Sequence, residues 1–159
     1  MTGRRADPLD AALRAIARKE RTTAELLDWL RLRDFSAEEA QIAVEELIEA
    51  GGLDDERFAR RFADDKRELR GWGAERIADT LASRGIAAEL IETALECDTD
   101  ARQAARASDL LLREERPLAG ESDRAKALGF LARRGYGLEV AHEAIRLAAR
   151  RSGEARSAA

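Results

Sequence analysis

The sequence predicts an all-α fold, an elongated tandem array of three three-helix repeats, and three observations carry that expectation. Alanine occurs 33 times in 159 residues, whereas valine occurs only at Val44 and Val140 and proline only at Pro8 and Pro117. Alanine is the best helix former, and a chain short of β-branched residues has little to build strands from. Apolar residues recur at three- and four-residue spacing, the period of one helix face. The chain also resembles itself. Leu30, Leu81 and Leu131 lie 51 and then 50 residues apart, and the same offsets align Leu26 with Ile77 and Ala127, Glu38 with Glu89 and Glu139, Ala43 with Ala94 and Ala144, and Val44 with Leu95 and Ile145. Size and polarity are kept down these columns, which marks copies of one unit.

The first repeat, 9–52, opens with a helix over 9–20. A second helix begins at Thr22 or Thr23 and carries Leu26, Leu27 and Leu30. Ser36 with Glu39 is a capping box for the third, whose apolar face is Ala40, Val44, Leu47 and Ile48 before Gly51 and Gly52 close it. The second repeat, 53–98, opens on Asp54 and Asp55, good N-cap residues. Phe58, Phe62 and Leu69 then share one side of its first helix as core, and Gly71-Trp72-Gly73 ends it. Ala74, Ile77, Ala78 and Leu81 make the second helix. Gly85 stands where a left-handed cap is wanted, and Ile86 packs back behind it, as Phe35 and Tyr136 do in the other repeats. Ala87, Leu90, Ile91, Ala94 and Leu95 line the third helix. In the third repeat, 99–151, a helix over 100–115 is stopped by Pro117 and Gly120, Ser122 opens the next, and the last runs over 138–150. Tails are expected at 1–8 and 152–159, the latter small, polar and frayed. A repeat of about 45 residues barely encloses a core alone, so stacked repeats bury each other's flanks.

The composition removes most chemistries. One histidine, His142, and one cysteine, Cys97, cannot build a zinc cluster. No phosphate-binding glycine loop follows a strand pattern, and there is no nucleophile elbow. The expectation is a protein that is not an enzyme and uses no cofactor or metal. No stretch reaches the roughly 20 apolar residues of a membrane span, there is no secretory h-region, and a lone cysteine fits a reducing cytoplasm. His142 aligns with Gln41 and Glu92 and is expected to be an exposed bystander, and Cys97 an inert thiol near a helix end. The formal net charge is −4 and the pI is about 5.3, so general phosphate attraction is not the dominant property. The charge is uneven, however: residues 1–50 and 51–98 are net acidic, and 99–159 carry 12 basic against 9 acidic groups.

Two stretches go beyond helix grammar. One is Leu53-Asp54-Asp55-Glu56-Arg57-Phe58-Ala59, followed by Arg70-Gly71-Trp72-Gly73-Ala74-Glu75-Arg76-Ile77 and by Leu81 to Gly85-Ile86. The other is Phe130-Leu131-Ala132-Arg133-Arg134-Gly135-Tyr136. In order and spacing these resemble the RecX family, bacterial regulators of the RecA recombinase, and the resemblance covers roughly residues 9–150. Two departures are Ala74, where the family often has proline, and the acidic overall charge. The resemblance implies a non-catalytic monomer that binds the RecA filament on single-stranded DNA, with no more than weak nucleic-acid backbone contact. Filament growth, ATPase, strand exchange and coprotease activity would fall as a consequence.

On the first helix of the middle repeat, Arg60, Lys66, Arg67 and Arg70 flank the apolar side with Ala59 and Ala63 between them. Arg84, Arg133 and Arg134 stand just before repeat glycines and extend the strip if the repeats stack in register. These seven residues are the expected partner-binding site. Trp72, between two glycines, reads either as a plug under the turn or as a contact anchor. The rival reading is a helix-turn-helix-like DNA-binding protein. A recognition helix needs Arg, Lys, Asn or Gln to reach base edges, whereas 36–50 carries five glutamates and no basic residue, and 87–97 carries three glutamates and again none.

Overall fold

The computed structural model describes residues 7–158, and among them every regular element is an α-helix. The order is α1 (Pro8–Arg18), α2 (Thr23–Arg31), α3 (Ala37–Glu49), α4 (Asp55–Arg70), α5 (Ala74–Ser83), α6 (Ala88–Leu95), α7 (Asp100–Arg113), α8 (Glu121–Arg133) and α9 (Leu138–Ser157). This is the expected series of three-helix repeats. The first six residues of the tail expected at 1–8 lie outside the described residues.

Capping chemistry places the helix starts. Asp7 accepts a 2.9 Å hydrogen bond from the Leu9 amide, and Pro8 fills the first helical position, where its missing N–H costs nothing. Of the two threonines that could open α2, Thr22 is the cap, in a reciprocal box with Glu25. Ser36 and Glu39 form the expected box on α3. The two aspartates at the head of α4 divide their work. Asp54 accepts from the Arg57 amide at 2.9 Å, and Asp55 reaches across to the Thr23 amide at 2.8 Å. Two ends differ from expectation. α8 starts at Glu121 behind Gly120, so Ser122 lies within its first turn and does not cap it. α9 runs on past 150 to Ser157, because Ala, Arg and Glu are strong helix formers and Gly153 alone costs only about 1 kcal/mol.

The helices gather into two units. Unit one holds the described residues through Ala59 together with Leu81–Ile91, and unit two holds Arg60–Thr80 with the described residues from Glu92 onward. In unit one, Ala12 and Ala15 of α1 meet Leu26 and Leu30 of α2 and Val44 and Leu47 of α3, with Phe35 closing the turn. In unit two, α7 and α9 approach closely through Ala104, Ala107, Ala144 and Ala148, while Leu111, Leu131 and Tyr136 fill the centre. Small residues permit the close approach, and the leucines supply apolar area worth about 25 cal/mol per Å².

The apolar side of α4 is narrower than its spacing implies. Phe58, Ala59 and Ala63 are buried, but Phe62 is only half-buried and Leu69 is 76% exposed. Periodicity fixes a direction around the helix axis. It does not fix how far along the axis a neighbour extends, and Leu69 falls in the last turn.

Candidate partner-binding surface

Each unit contains one version of the same joint, in which the first turn of a repeat's second helix meets the turn that ends the second helix of the next repeat. In unit one, the Thr22 hydroxyl donates to the Arg84 carbonyl at 2.7 Å. Arg84 Nε and Nη2 donate to Glu25 Oε1 and Oε2 at 2.7 and 2.9 Å, and its guanidinium lies 4.4 Å from the centre of the Phe58 ring. Gly85 has φ +79°, and a Cβ there would come within 2.4 Å of the Ala24 Cβ. The hydrogen bonds from Arg84 hold the Glu25 carboxyl below its ordinary pKa and, reciprocally, hold Arg84 above its own.

In unit two, the contact is made by backbone. The Gly73 amide donates to the Arg134 carbonyl at 2.8 Å, and the Glu75 amide donates to the Gly135 carbonyl at 3.1 Å. Gly135 has φ +88°, and a Cβ there would lie 2.2 Å from the Arg76 Cβ. Two guanidiniums lace the joint: Arg76 donates to the Arg133 carbonyl at 3.2 Å and Arg134 to the Arg70 carbonyl at 2.8 Å.

Beneath it lies a polar network that holds the Gly71-Trp72-Gly73 loop. The buried Tyr136 hydroxyl donates to the Gly71 carbonyl at 2.8 Å and accepts from Arg106 Nε at 3.3 Å. Arg106 grips the buried Asp98 with two 2.9 Å bonds and also reaches the Trp72 carbonyl at 3.3 Å. Gln103 accepts from the Ala74 amide and donates to the Asp98 carbonyl. Burial works against a charged Arg106, but Asp98 and Tyr136 together outweigh it and raise its pKa. Burial pushes the Tyr136 phenol up, so it stays a donor.

The seven expected site residues now separate. Arg84 is in unit one, paired with Glu25. Arg67 is turned inward, its side chain 11% exposed. It donates to Asp64 at 2.9 Å and to the Ala94 carbonyl at 2.7 Å, and its Nε lies 3.5 Å from Asp98, close enough for an ion pair but long for a hydrogen bond. Arg60, Arg70 and Arg133 are exposed, and Lys66 and Arg134 are half-buried. In unit two, Lys66 lies against the Trp72 ring, Arg70 leads into its loop and Arg134 donates to the Arg70 carbonyl, while the Arg133 guanidinium lies back along α8 beside Gly129. Trp72 packs partly under the turn, as one of its two readings expects. It is half-buried, edge-on to Phe62 at 6.3 Å, with the Arg76 guanidinium 4.0 Å and Lys66 Nζ 5.0 Å from its ring centre. The result is a basic, aromatic surface resting on a rigid polar support. His142 is exposed, as expected, and Cys97, expected near a helix end, lies two residues past α6 and is exposed.

Arg76 was missing from the expected site, although the repeat offset identifies it. Fifty-one residues separate it from Glu25, just as fifty separate Arg134 from Arg84. The pair Glu25–Arg84 of unit one therefore becomes Arg76 and Arg134 in unit two. One acid-to-base change turns a neutralised joint into a cationic one. Asp98, Gln103 and Arg106 were also missing. Their partners are backbone groups and residues of other helices, which spacing along one helix does not reveal.

Similarity to known proteins is consistent across the chain. Residues 9–47 match the family model for the first three-helix domain of RecX, and 54–95 match that for the second. "Regulatory protein RecX" from Halorhodospira halophila is 42% identical over 132 residues, covering 80% of this chain and 79% of that protein. The protein of that name from Trichlorobacter lovleyi is 37% identical over 131 residues, covering 79% and 85%. The crystal structure of RecX from Lactobacillus salivarius superposes with a TM-score of 0.79 at 21% identity, over 89% of this chain and 94% of that one, and so shares the fold. On these matches, the chain belongs to the RecX family of regulatory proteins.

Proposed function

We propose that the chain regulates the RecA recombinase by binding its filament on single-stranded DNA, without catalysis, through the cationic joint of unit two. The observation that supports this reading is the charge reversal at Arg76. It leaves Arg76 and Lys66 over a half-buried tryptophan, with Arg70 and Arg134 beside its loop and no carboxylate in the position Glu25 holds in unit one. Guanidinium forks pair bidentately with carboxylate or phosphate, and tryptophan and arginine dominate binding energy at interfaces. A filament offers many copies of one site, so a bound regulator that blocks growth at one point affects many protomers. ATPase, strand exchange and coprotease activity fall together as the filament shortens.

The test is RecA ATPase on single-stranded DNA with substoichiometric chain added. Inhibition is expected from the parent, and Arg70→Glu with Arg133→Glu is expected to weaken it at least tenfold while helicity and melting are unchanged. No inhibition at a tenfold excess over RecA counts against the reading. A folded double mutant that inhibits as well as the parent removes this surface from it.

A further inference from the structure

We propose that unit one carries a second binding site, independent of the filament reading, in which a groove on α1 and α2 takes an acidic peptide by one apolar side chain. The groove is a cavity of about 330 Å³. Its apolar lining comes from Ala11, Ala15, Phe35 and the ring of Trp29, and the remaining lining residues are Arg14, Arg18 and Arg33. Ala11, Arg14, Ala15 and Arg18 stand at i, i+3, i+4 and i+7, so α1 alone presents an alternating strip of small and cationic residues.

Three features select the ligand. Three guanidiniums and no carboxylate line the cavity, on a chain whose net charge is −4; among the described residues the local excess is opposite to the whole. Charge-assisted forks of this kind recognise carboxylates. The volume is at the small end for ligand sites, which suits one large apolar side chain. Trp29 also argues against a nucleobase. Its ring is already covered by Arg33, whose guanidinium lies 3.5 Å from the ring centre and whose Nη1 donates to the Trp29 carbonyl at 3.4 Å. Arg33 is thereby held in place before any ligand arrives, and that face of the ring is closed to base stacking.

The groove has a structural origin. In the later repeats the position after the second helix is Gly85 or Gly135, and it packs closely against the preceding repeat's second helix, at Ala24 or Arg76. In the first repeat that position is Asp34, at φ +63°. A Cβ in the joint geometry collides at 2.2–2.4 Å in both later repeats, so the Asp34 turn does not have the form that docks on a helix there. The groove lies beside this turn, lined there by Arg33 and Phe35.

The probe is a fluorescent hexapeptide in which four aspartates flank a Leu-Phe pair, titrated by anisotropy against the full chain. A Kd of about 1–100 μM is expected at low salt. Arg14→Glu with Arg18→Glu should weaken it at least tenfold, since both side chains are exposed and the fold does not depend on them. Ala11→Leu, which fills the groove and leaves the charge alone, should do the same. Replacing Leu-Phe in the probe by Ser-Ser should abolish binding. Absence of binding by the parent, or parent-like binding by either folded variant, overturns the proposal. So does equal displacement of the probe by oligothymidylate of matched charge, which would assign the groove to nucleic acid.

Discussion

The joint of unit one and the joint of unit two perform the same task with different chemistry. In the first, side chains do the work: a threonine hydroxyl on a carbonyl, a glutamate closing a capping box, and an arginine forked onto that glutamate. In the second, two backbone amides make the contact, and a buried tyrosine, arginine and aspartate hold the loop from below. The two guanidiniums that lace the second joint, Arg76 and Arg134, bond to carbonyls rather than to a carboxylate, so their charge is not neutralised there. The first joint consumes its charge internally, and the second displays it. A repeated structural contact can thus change its net charge without any new element, through the residue at one repeat position.

The largest test of this contrast concerns the turn glycines. Gly135→Ala places a Cβ 2.2 Å from the Arg76 Cβ and 2.5 Å from its backbone nitrogen, at φ +88°. A left-handed alanine costs roughly 1–2 kcal/mol and overpacking about 1–3 more, so a loss of about 3 kcal/mol in urea unfolding is expected. Gly85→Ala meets chiefly one methyl group, the Ala24 Cβ, and should cost less, about 2 kcal/mol. Equal losses would mean that the backbone contact of the second joint adds no stiffness. Tyr136→Phe comes next. It leaves the Gly71 carbonyl without its 2.8 Å donor in a buried place, a loss of about 1–2 kcal/mol, read in the same unfolding curves.

Acid separates the joints further. Folding lowers the pKa of Glu25 through its hydrogen bonds from Arg84, so the unfolded chain binds that proton more tightly. The contribution is complete above the ordinary glutamate value of about 4.3, and it is lost as pH falls through the lower folded value. Glu25→Gln should therefore cost about 1 kcal/mol at pH 7 and progressively less as acid protonates the folded carboxyl. Measured against pH, the difference between parent and mutant should shrink in that window. A difference that stays constant would show that the carboxylate's charge is not what the joint uses.

Much of this was legible from the residues. The leucine columns at offsets of 51 and 50, the serine–glutamate box of α3 and the glycines at 85 and 135 are local signals, and the structure places them as read. What was not legible depends on residues far apart in sequence. Arg67 resembles Lys66 and Arg70 on a helical wheel, yet Asp98 and the Ala94 carbonyl draw it inward. Leu69 shares a direction with Phe58 but lies beyond the neighbour that buries Phe58. Arg84 resembles Arg134 in its motif, and the difference lies in what each guanidinium holds, the Glu25 carboxylate or the Arg70 carbonyl, with Arg76 standing at the repeat position of Glu25.

That last difference supplies the smallest expected effect on stability and the sharpest on binding. Arg76→Glu would restore to unit two the charge arrangement of unit one, an acid facing the arginine that precedes the turn glycine. The mutant gives up the 3.2 Å bond to the Arg133 carbonyl and the contact with Trp72, and it gains a carboxylate near Arg134. Both are surface terms of about 0–1 kcal/mol and of opposite sign, so the unfolding midpoint should barely move. The effect on binding runs one way. A guanidinium is removed from the rim, and a carboxylate both repels an acidic partner and neutralises Arg134, so inhibition of RecA ATPase should weaken more than for Arg76→Ala. If the glutamate and alanine variants inhibit alike, the position contributes packing rather than charge. If the glutamate variant unfolds instead, the two joints differ in geometry as well as in charge, and the register that equates Glu25 with Arg76 is only a sequence alignment.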